Sequence, residues 1–149
     1  MNIRQDGVAR IKAFEGLRLT AYQCSADRWT IGYGHTSGVK AEDVITLEQA
    51  GAFLRDDIDA VVERLNALTT VPVNQNQFDA LCSLVFNIGI EAFATSTLLK
   101  KLNEGDYPGA AAEFPKWCKI TVKGQKVRSL GLIKRRQEEK ALFESVNQS

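Results

Sequence analysis

The 149 residues suffice for one domain with a sizeable core, and 44% hydrophobic against 25% charged residues is the balance of a soluble globular protein. A formal net charge of +1 excludes a global field that would select a polyanionic partner. Cys24, Cys82 and Cys118 are too few and too scattered for a disulfide framework or a zinc site, and the N-terminal MNIRQDGVARIKAFEG holds no apolar run suited to a signal peptide or a spanning helix.

Val8, Ile11 and Phe14 recur at three-residue steps, which predicts an amphipathic helix that stops at Gly16. Leu19, Tyr22, Trp29, Thr30, Ile31 and Tyr33 favour strands, with CSADR between them as a turn and GYGHTSG as a glycine-rich loop. Thr46 and Gln49 form a capping-box pair. Behind it Leu54, Ile58, Val61, Leu65 and Leu68 step by three or four, predicting a long helix over 47–67. Asn74 and Gln77 repeat the cap pattern before a helix with Phe78, Leu81, Cys82 and Val85 on its apolar face, ending near Gly89. Short helices are expected over 96–103 and 107–114, the second interrupted by Pro115. Ser129 can cap a last helix reaching about Glu144, with Leu132, Ala141 and Phe143 among its apolar positions.

Early strands followed by a run of helices imply an α+β fold in two lobes. The expected division is a small β-containing lobe over 16–46, a connecting helix over 47–67, and a helical lobe over 72–149 that includes the N-terminal helix. A cleft between the lobes is the expected ligand site. From Lys116 to Lys140 nine basic residues are opposed only by Glu138 and Glu139. This segment reads as a solvated helix face and loop, or as a surface for an anionic polymer or membrane.

The order Glu15, Cys24, Thr30, then IGYGHT resembles the phage-type lysozymes, the endolysins that cleave bacterial peptidoglycan at host lysis. Three later stretches, VPVNQNQFDALCSLVFNIG, FATSTLLKKLNEGDYPGAAAEF and GLIKRRQEEKALF, are similar to the family's later segments in the same order. Most members carry aspartate where Cys24 stands, and YQCSA followed by WT is similar to a subgroup with a Glu–Cys–Thr set. Many of that subgroup begin with a signal-anchor segment, whereas the later half of this chain looks more like the soluble, aspartate-bearing members.

Glycosidic cleavage needs a proton on the leaving oxygen and a water or nucleophile at an oxocarbenium-like carbon. Glu15 is the candidate acid, because partial burial at the end of an apolar face favours its protonated form. Cys24 stands in for the second carboxylate, and its thiol can act as nucleophile, as base for water, or as a polar group that positions water. Cys82 and Cys118 read as inert thiols in or near the core. Asp27, three residues on, is the rival carboxylate; it reads as a turn residue in a left-handed conformation, where related sequences usually have glycine.

Thr30 on the return strand can hold a water opposite the acid. His35, the sole histidine, reads as a structural hydrogen-bonding residue, and it joins Gly34 in the substrate-binding set. The resemblance implies that Asn87 faces the sugar chain and that Arg135, or Arg136, orients Glu15. No metal site and no cofactor are expected.

The expected activity is that of a muramidase cutting between N-acetylmuramic acid and N-acetylglucosamine. A wall-binding module without catalysis is the alternative. A nucleic-acid-binding protein is disfavoured by the charge balance and by the lack of a recognition module. A monomer, a holin-type pore for release from the host cytoplasm and action on the periplasmic wall complete the expectation.

Overall fold

The computed structural model describes residues 1–24 and 27–145. Ser25 and Ala26 of the expected turn, and the last four residues of the expected helical lobe, lie outside the described residues. Among those described there are seven α-helices and two two-stranded antiparallel sheets. This is the α+β arrangement expected.

Helix α1 (Gln5–Glu15) buries Ile11 and ends where Gly16 takes a positive φ of 70°. Strands β1 (Arg18–Gln23) and β2 (Trp29–Gly32) pair antiparallel, with Tyr22 opposite Thr30 and Gln23 opposite Trp29. Helix α2 (Leu47–Leu68) opens with the expected box: the Gln49 amide donates to Thr46 Oγ1 at 3.1 Å, and Gln49 Oε1 accepts from the Thr46 amide at 2.9 Å. Such a cap contributes about 1 kcal/mol. Leu54, Ile58 and Leu65 of α2 are buried, and with Ile11 the first two form a small cluster that joins α2 to α1.

Helix α3 (Gln75–Ile88) is the hub of the larger lobe. Every residue from Phe78 to Val85 is buried, so the helix is enclosed on all sides rather than on one stripe. On it pack α1, α2, α4 (Ile90–Ala94) and α7 (Leu130–Glu144), while α5 (Thr97–Asn103) and α6 (Tyr107–Glu113) pack on each other and on α4 and α7. Helices α4 to α7 contribute Phe93, Leu98, Leu102, Ala110 and Phe143 to one core, joined by Phe114. Each large apolar side chain buried there contributes roughly 1.5–3 kcal/mol. The enclosed Asp79 is satisfied by the Arg4 amide and Nε and by Gln75, which tie the entry of α1 to α3. Gly7 permits the approach, since a Cβ there would meet Ile3 Cγ1 at 2.7 Å and Asp79 Cγ at 3.1 Å.

Two features differ from expectation. Residues 119–128 form a β-hairpin, β3 (Lys119–Val122) and β4 (Gln125–Arg128), rather than a loop. Its signals are the β-branched Ile120, Thr121, Val122 and Val127 around Lys123–Gly124, a turn with positive φ at both residues. In α7 the expected apolar position Ala141 is exposed; the helix instead buries Arg135, Arg136 and Glu139 with Phe143. A polar stripe is turned inward here, and apolar periodicity cannot reveal it.

Candidate active site

Glu15 is the last residue of α1, and its side chain is 16% exposed. Its carboxyl is held on one side and closely approached on the other. Arg135 Nη1 donates to Oε2, and a Cβ added at Gly34 would lie 2.7 Å from Oε1. Gly34 also has a φ of 82°, so a side chain there would both strain the backbone and displace the acid. Gly34 follows from the tight loop in which Ile31 and His35 exchange both backbone hydrogen bonds at 2.9 Å.

Arg135 is immobilised by more than Glu15. Its Nε donates to Glu139 Oε2 at 3.1 Å, its Nη2 donates to the Ser83 carbonyl at 3.0 Å, and its guanidinium carbon lies 4.7 Å from the centre of the Phe14 ring. Glu139 bridges two cations, because its other oxygen accepts from Arg136 Nη1 at 2.8 Å. Ser83 Oγ also donates to Glu139. Arg136 Nη2 donates to Asn87 Oδ1, and Arg136 Nε has no partner among the described residues.

Burial pushes the Glu139 carboxyl above the usual carboxylate range, against the pull of both guanidiniums and Ser83. Burial likewise brings Arg136 down to about 10, opposed by Glu139. Removing one partner from such an enclosed ionic set typically costs about 3–5 kcal/mol. The Arg135 fork therefore has little freedom, and Glu15 inherits that restraint.

This network settles which arginine meets Glu15. It is Arg135, while Arg136 holds Asn87. It also corrects the sequence reading of the basic run. Glu139, Arg135 and Arg136 are buried among themselves, so Glu139 does not oppose the charges at the surface. Nothing in the sequence spacing marks Ser83 and Glu139 as a pair, since they lie 56 positions apart and meet only where α3 packs on α7.

Cys24 and Thr30 lie on the β1–β2 hairpin, around Tyr22. The Tyr22 hydroxyl is pushed up by burial first, then by the negative charge of Glu15, with Cys24 adding in the same sense and Arg18 opposing. Tyr22 is thus within electrostatic reach of both Glu15 and Cys24. Thr30 is directly opposite it in the ladder, where side chains share a face. Thr30 is buried and its hydroxyl donates to the Arg28 carbonyl at 3.1 Å, which leaves its acceptor lone pairs open.

Cys24 closes the hairpin turn: its amide donates to the Arg28 carbonyl and its carbonyl accepts from the Asp27 amide, both at 2.9 Å. Asp27 is exposed with a φ of 61°, as expected for a turn residue. Sequence reasoning did not single out Tyr22 for the site, because an aromatic in a strand is ordinary.

The remaining candidates lie on the loop after β2 and at the end of α3. His35 Nδ1 is 2.7 Å from Asp57 Oδ2, and its ring stacks on Phe53 with centroids 4.3 Å apart, so the imidazole is docked on α2. Asn87 is exposed near the end of α3. A depression of about 260 Å³ is lined by Gly34, Thr36, Asp57, Val61, Phe86 and Gly89, with neither His35 nor Asn87 in its wall. A larger groove of about 790 Å³ runs between α1 and α2, but it is lined by none of the candidate residues. Among the described residues no group of three or more His, Cys, Asp or Glu could hold a metal ion.

Residues 12–139 match the family described as Phage lysozyme, a span that contains every candidate residue. The chain belongs to the phage lysozyme family. An endolysin of Acyrthosiphon pisum secondary endosymbiont phage 1 is 63% identical over 97% of this chain and 99% of that protein. The endolysin of Bacillus phage PZA is 50% identical over 97% of this chain, which spans only 56% of that relative's length. Among solved structures, the muramidase domain of SpmX from Asticaccaulis excentricus has a TM-score of 0.87 at 46% identity, covering 97% of this chain and 99% of that one. This phage lysozyme therefore has the lysozyme-like fold and is a glycoside hydrolase of the lysozyme type.

Proposed function

We propose that this phage lysozyme is a muramidase that hydrolyses the β-1,4 bond between N-acetylmuramic acid and N-acetylglucosamine in peptidoglycan, for host lysis. The observation that carries the reading is the ion pair of Glu15 with Arg135, closed in by the Gly34 backbone and within electrostatic reach of Tyr22, around which Cys24 and Thr30 lie. In this reading Glu15 gives its proton to the leaving glycosidic oxygen. The carboxylate left behind is met by the Arg135 cation, which needs no rearrangement to receive it. Cys24 and Thr30 act at the anomeric carbon, Cys24 in the place of the second catalytic group and Thr30 as the acceptor that positions water. Gly34, His35 and Asn87 line the strand, and Arg135 orients the acid. A monomeric enzyme working without a cofactor belongs to the same proposal. Residues 16–46 would form the small lobe, 47–67 the connector and 72–149, with α1, the helical lobe of a single catalytic domain.

The test is the identity of the new reducing end. Purified sacculi digested with the protein and then reduced with borohydride are expected to yield muramitol. Glucosaminitol, or no new reducing sugar, overturns the assignment of the bond.

Release from the host cytoplasm to the periplasmic wall through a holin-type pore belongs to the same proposal. It rests on membership of the phage lysozyme family and on the endolysin relatives. Expressed alone in a bacterial cytosol, the protein is expected to leave cells intact until the inner membrane is permeabilised. Spontaneous lysis on expression alone would contradict a pore-dependent route.

A further inference from the structure

No acidic residue occurs from Phe114 to Gln137, yet the charges in this stretch are not equivalent. Arg135 and Arg136 are consumed by the buried network, and Lys116 pairs with Glu113. Lys119, Lys123, Lys126, Arg128 and Lys134 are exposed and form no ion pair among the described residues.

The hairpin register sorts these charges. Lys119 pairs with Arg128 and Thr121 with Lys126, so Lys119, Lys126 and Arg128 share one face. Ile120, Val122 and Val127 share the other, with Val122 39% and Val127 41% exposed. Like charges placed directly opposite across two strands disfavour the pairing. A fourth charge, Lys123, stands at the tip with a φ of 49°, where Asn or Gly would fit with less strain. The local sequence thus concentrates charge at some cost to the hairpin's own stability.

We infer that the Lys119–Lys126–Arg128 face of the hairpin binds the carboxylates of the peptide stems that branch from a peptidoglycan strand; this rests on the muramidase reading of the cleft. Two observations select that partner. The hairpin root is closed by the Ser129 amide on the Cys118 carbonyl at 2.8 Å and runs straight into α7. Arg135 is the sixth residue of that helix, about 7.5 Å along its axis from Leu130 at the usual rise. The cationic face therefore lies on the segment that leads directly into the helix carrying Arg135. The second observation is the separation of faces. A planar bilayer can meet the cations or the valines but not both, whereas flexible anionic branches reach the cationic face alone.

The experiment compares glycan strands bearing their peptides with strands stripped by an amidase. Binding is measured in a Glu15→Gln background so that no strand is cut. With Lys119→Gln, Lys126→Gln and Arg128→Gln combined, affinity for peptide-bearing strands is expected to fall about tenfold, and the difference is expected to vanish at high salt. Affinity for stripped strands should be unchanged. Unchanged binding to peptide-bearing strands overturns the proposal, as does an equal loss on both strands. Loss confined to vesicles of phosphatidylglycerol overturns it in favour of a membrane, and loss confined to walls carrying phosphodiester polymers overturns it in favour of those polymers.

Should the triple variant fail to fold, salt titration of the parent decides the same point. Salt-sensitive binding only to peptide-bearing strands supports the proposal, and salt-sensitive binding to both kinds overturns it. Cleavage is scored separately with Glu15 intact. A protein that binds as expected but cuts no strand overturns the reading of the cleft and supports that of the hairpin.

Discussion

Replacing Glu15 by glutamine is expected to lower the rate of wall clearing by roughly a hundred- to ten-thousand-fold, the usual contribution of a general acid. The substitution is chosen to change one thing. Glutamine keeps the length and the planar end of the side chain, so its amide oxygen can still accept from Arg135 Nη1. What it cannot do is give a proton to the leaving oxygen. The fold should hold, because Arg135 retains Glu139 and Ser83, and α1 retains Ile11 in its cluster and Asp79 at its entry. Melting temperature and far-ultraviolet circular dichroism serve as the check that the loss is chemical. A variant that clears walls near the parent rate would remove Glu15 from the mechanism, whatever Arg135 does.

The second large effect concerns the thiol. Cys24→Ser should lose most of the activity, since a hydroxyl is far less acidic than a thiol and a poorer nucleophile. Cys24→Asp should retain a substantial part, because a carboxylate can activate water or meet the cationic carbon. Asp27→Asn should be almost silent, for Asp27 is an exposed turn residue. Asp27→Gly should be neutral or stabilising by up to about 1 kcal/mol, since its φ of 61° suits glycine. The pH–rate profile separates the roles of thiol and carboxylate: a catalytic thiolate adds a limb in the alkaline range that Cys24→Asp lacks.

Alkylation provides an independent reading. Cys24 is half-exposed and should react in the native state with loss of activity. Cys82 is fully enclosed, and its thiol is pushed far up by burial first and Asp79 second, so it should react only after unfolding. If Cys24→Ser matches the parent while Asp27→Asn is inactive, the second group has been assigned to the wrong residue.

Much of the fold was legible in the chain because the signals are local. Both capping boxes, the step of three or four along α2 and α3, the stop at Gly16 and the cap at Ser129 each need only a few neighbouring residues, and each is found where its pattern puts it. The β3–β4 hairpin is hidden in the sequence because its lysines lower the apparent β-propensity of a short run, and because its turn uses Lys–Gly where Asn–Gly would announce it. Ala141 fits an inward apolar position only if the inward stripe of the helix is apolar, which is what periodicity assumes. On α7 the inward stripe is Arg135, Arg136 and Glu139.

By itself the sequence determined most of the element types and the family to which the chain belongs, and it proposes Glu15, Cys24 and Thr30 as a catalytic set, since caps, periodicity and motif spacing are written in residue order. Tertiary structure alone decided which arginine reaches Glu15, that Gly34 leaves no room beside its carboxyl, and that Ser83 and Glu139 stand behind Arg135. It also decided which cations remain at the surface. The reason is distance along the chain. Glu15 and Arg135 are 120 positions apart, and whether a charged side chain is consumed in a buried network or left to solvent depends on which helix faces pack together, a property that no single segment carries.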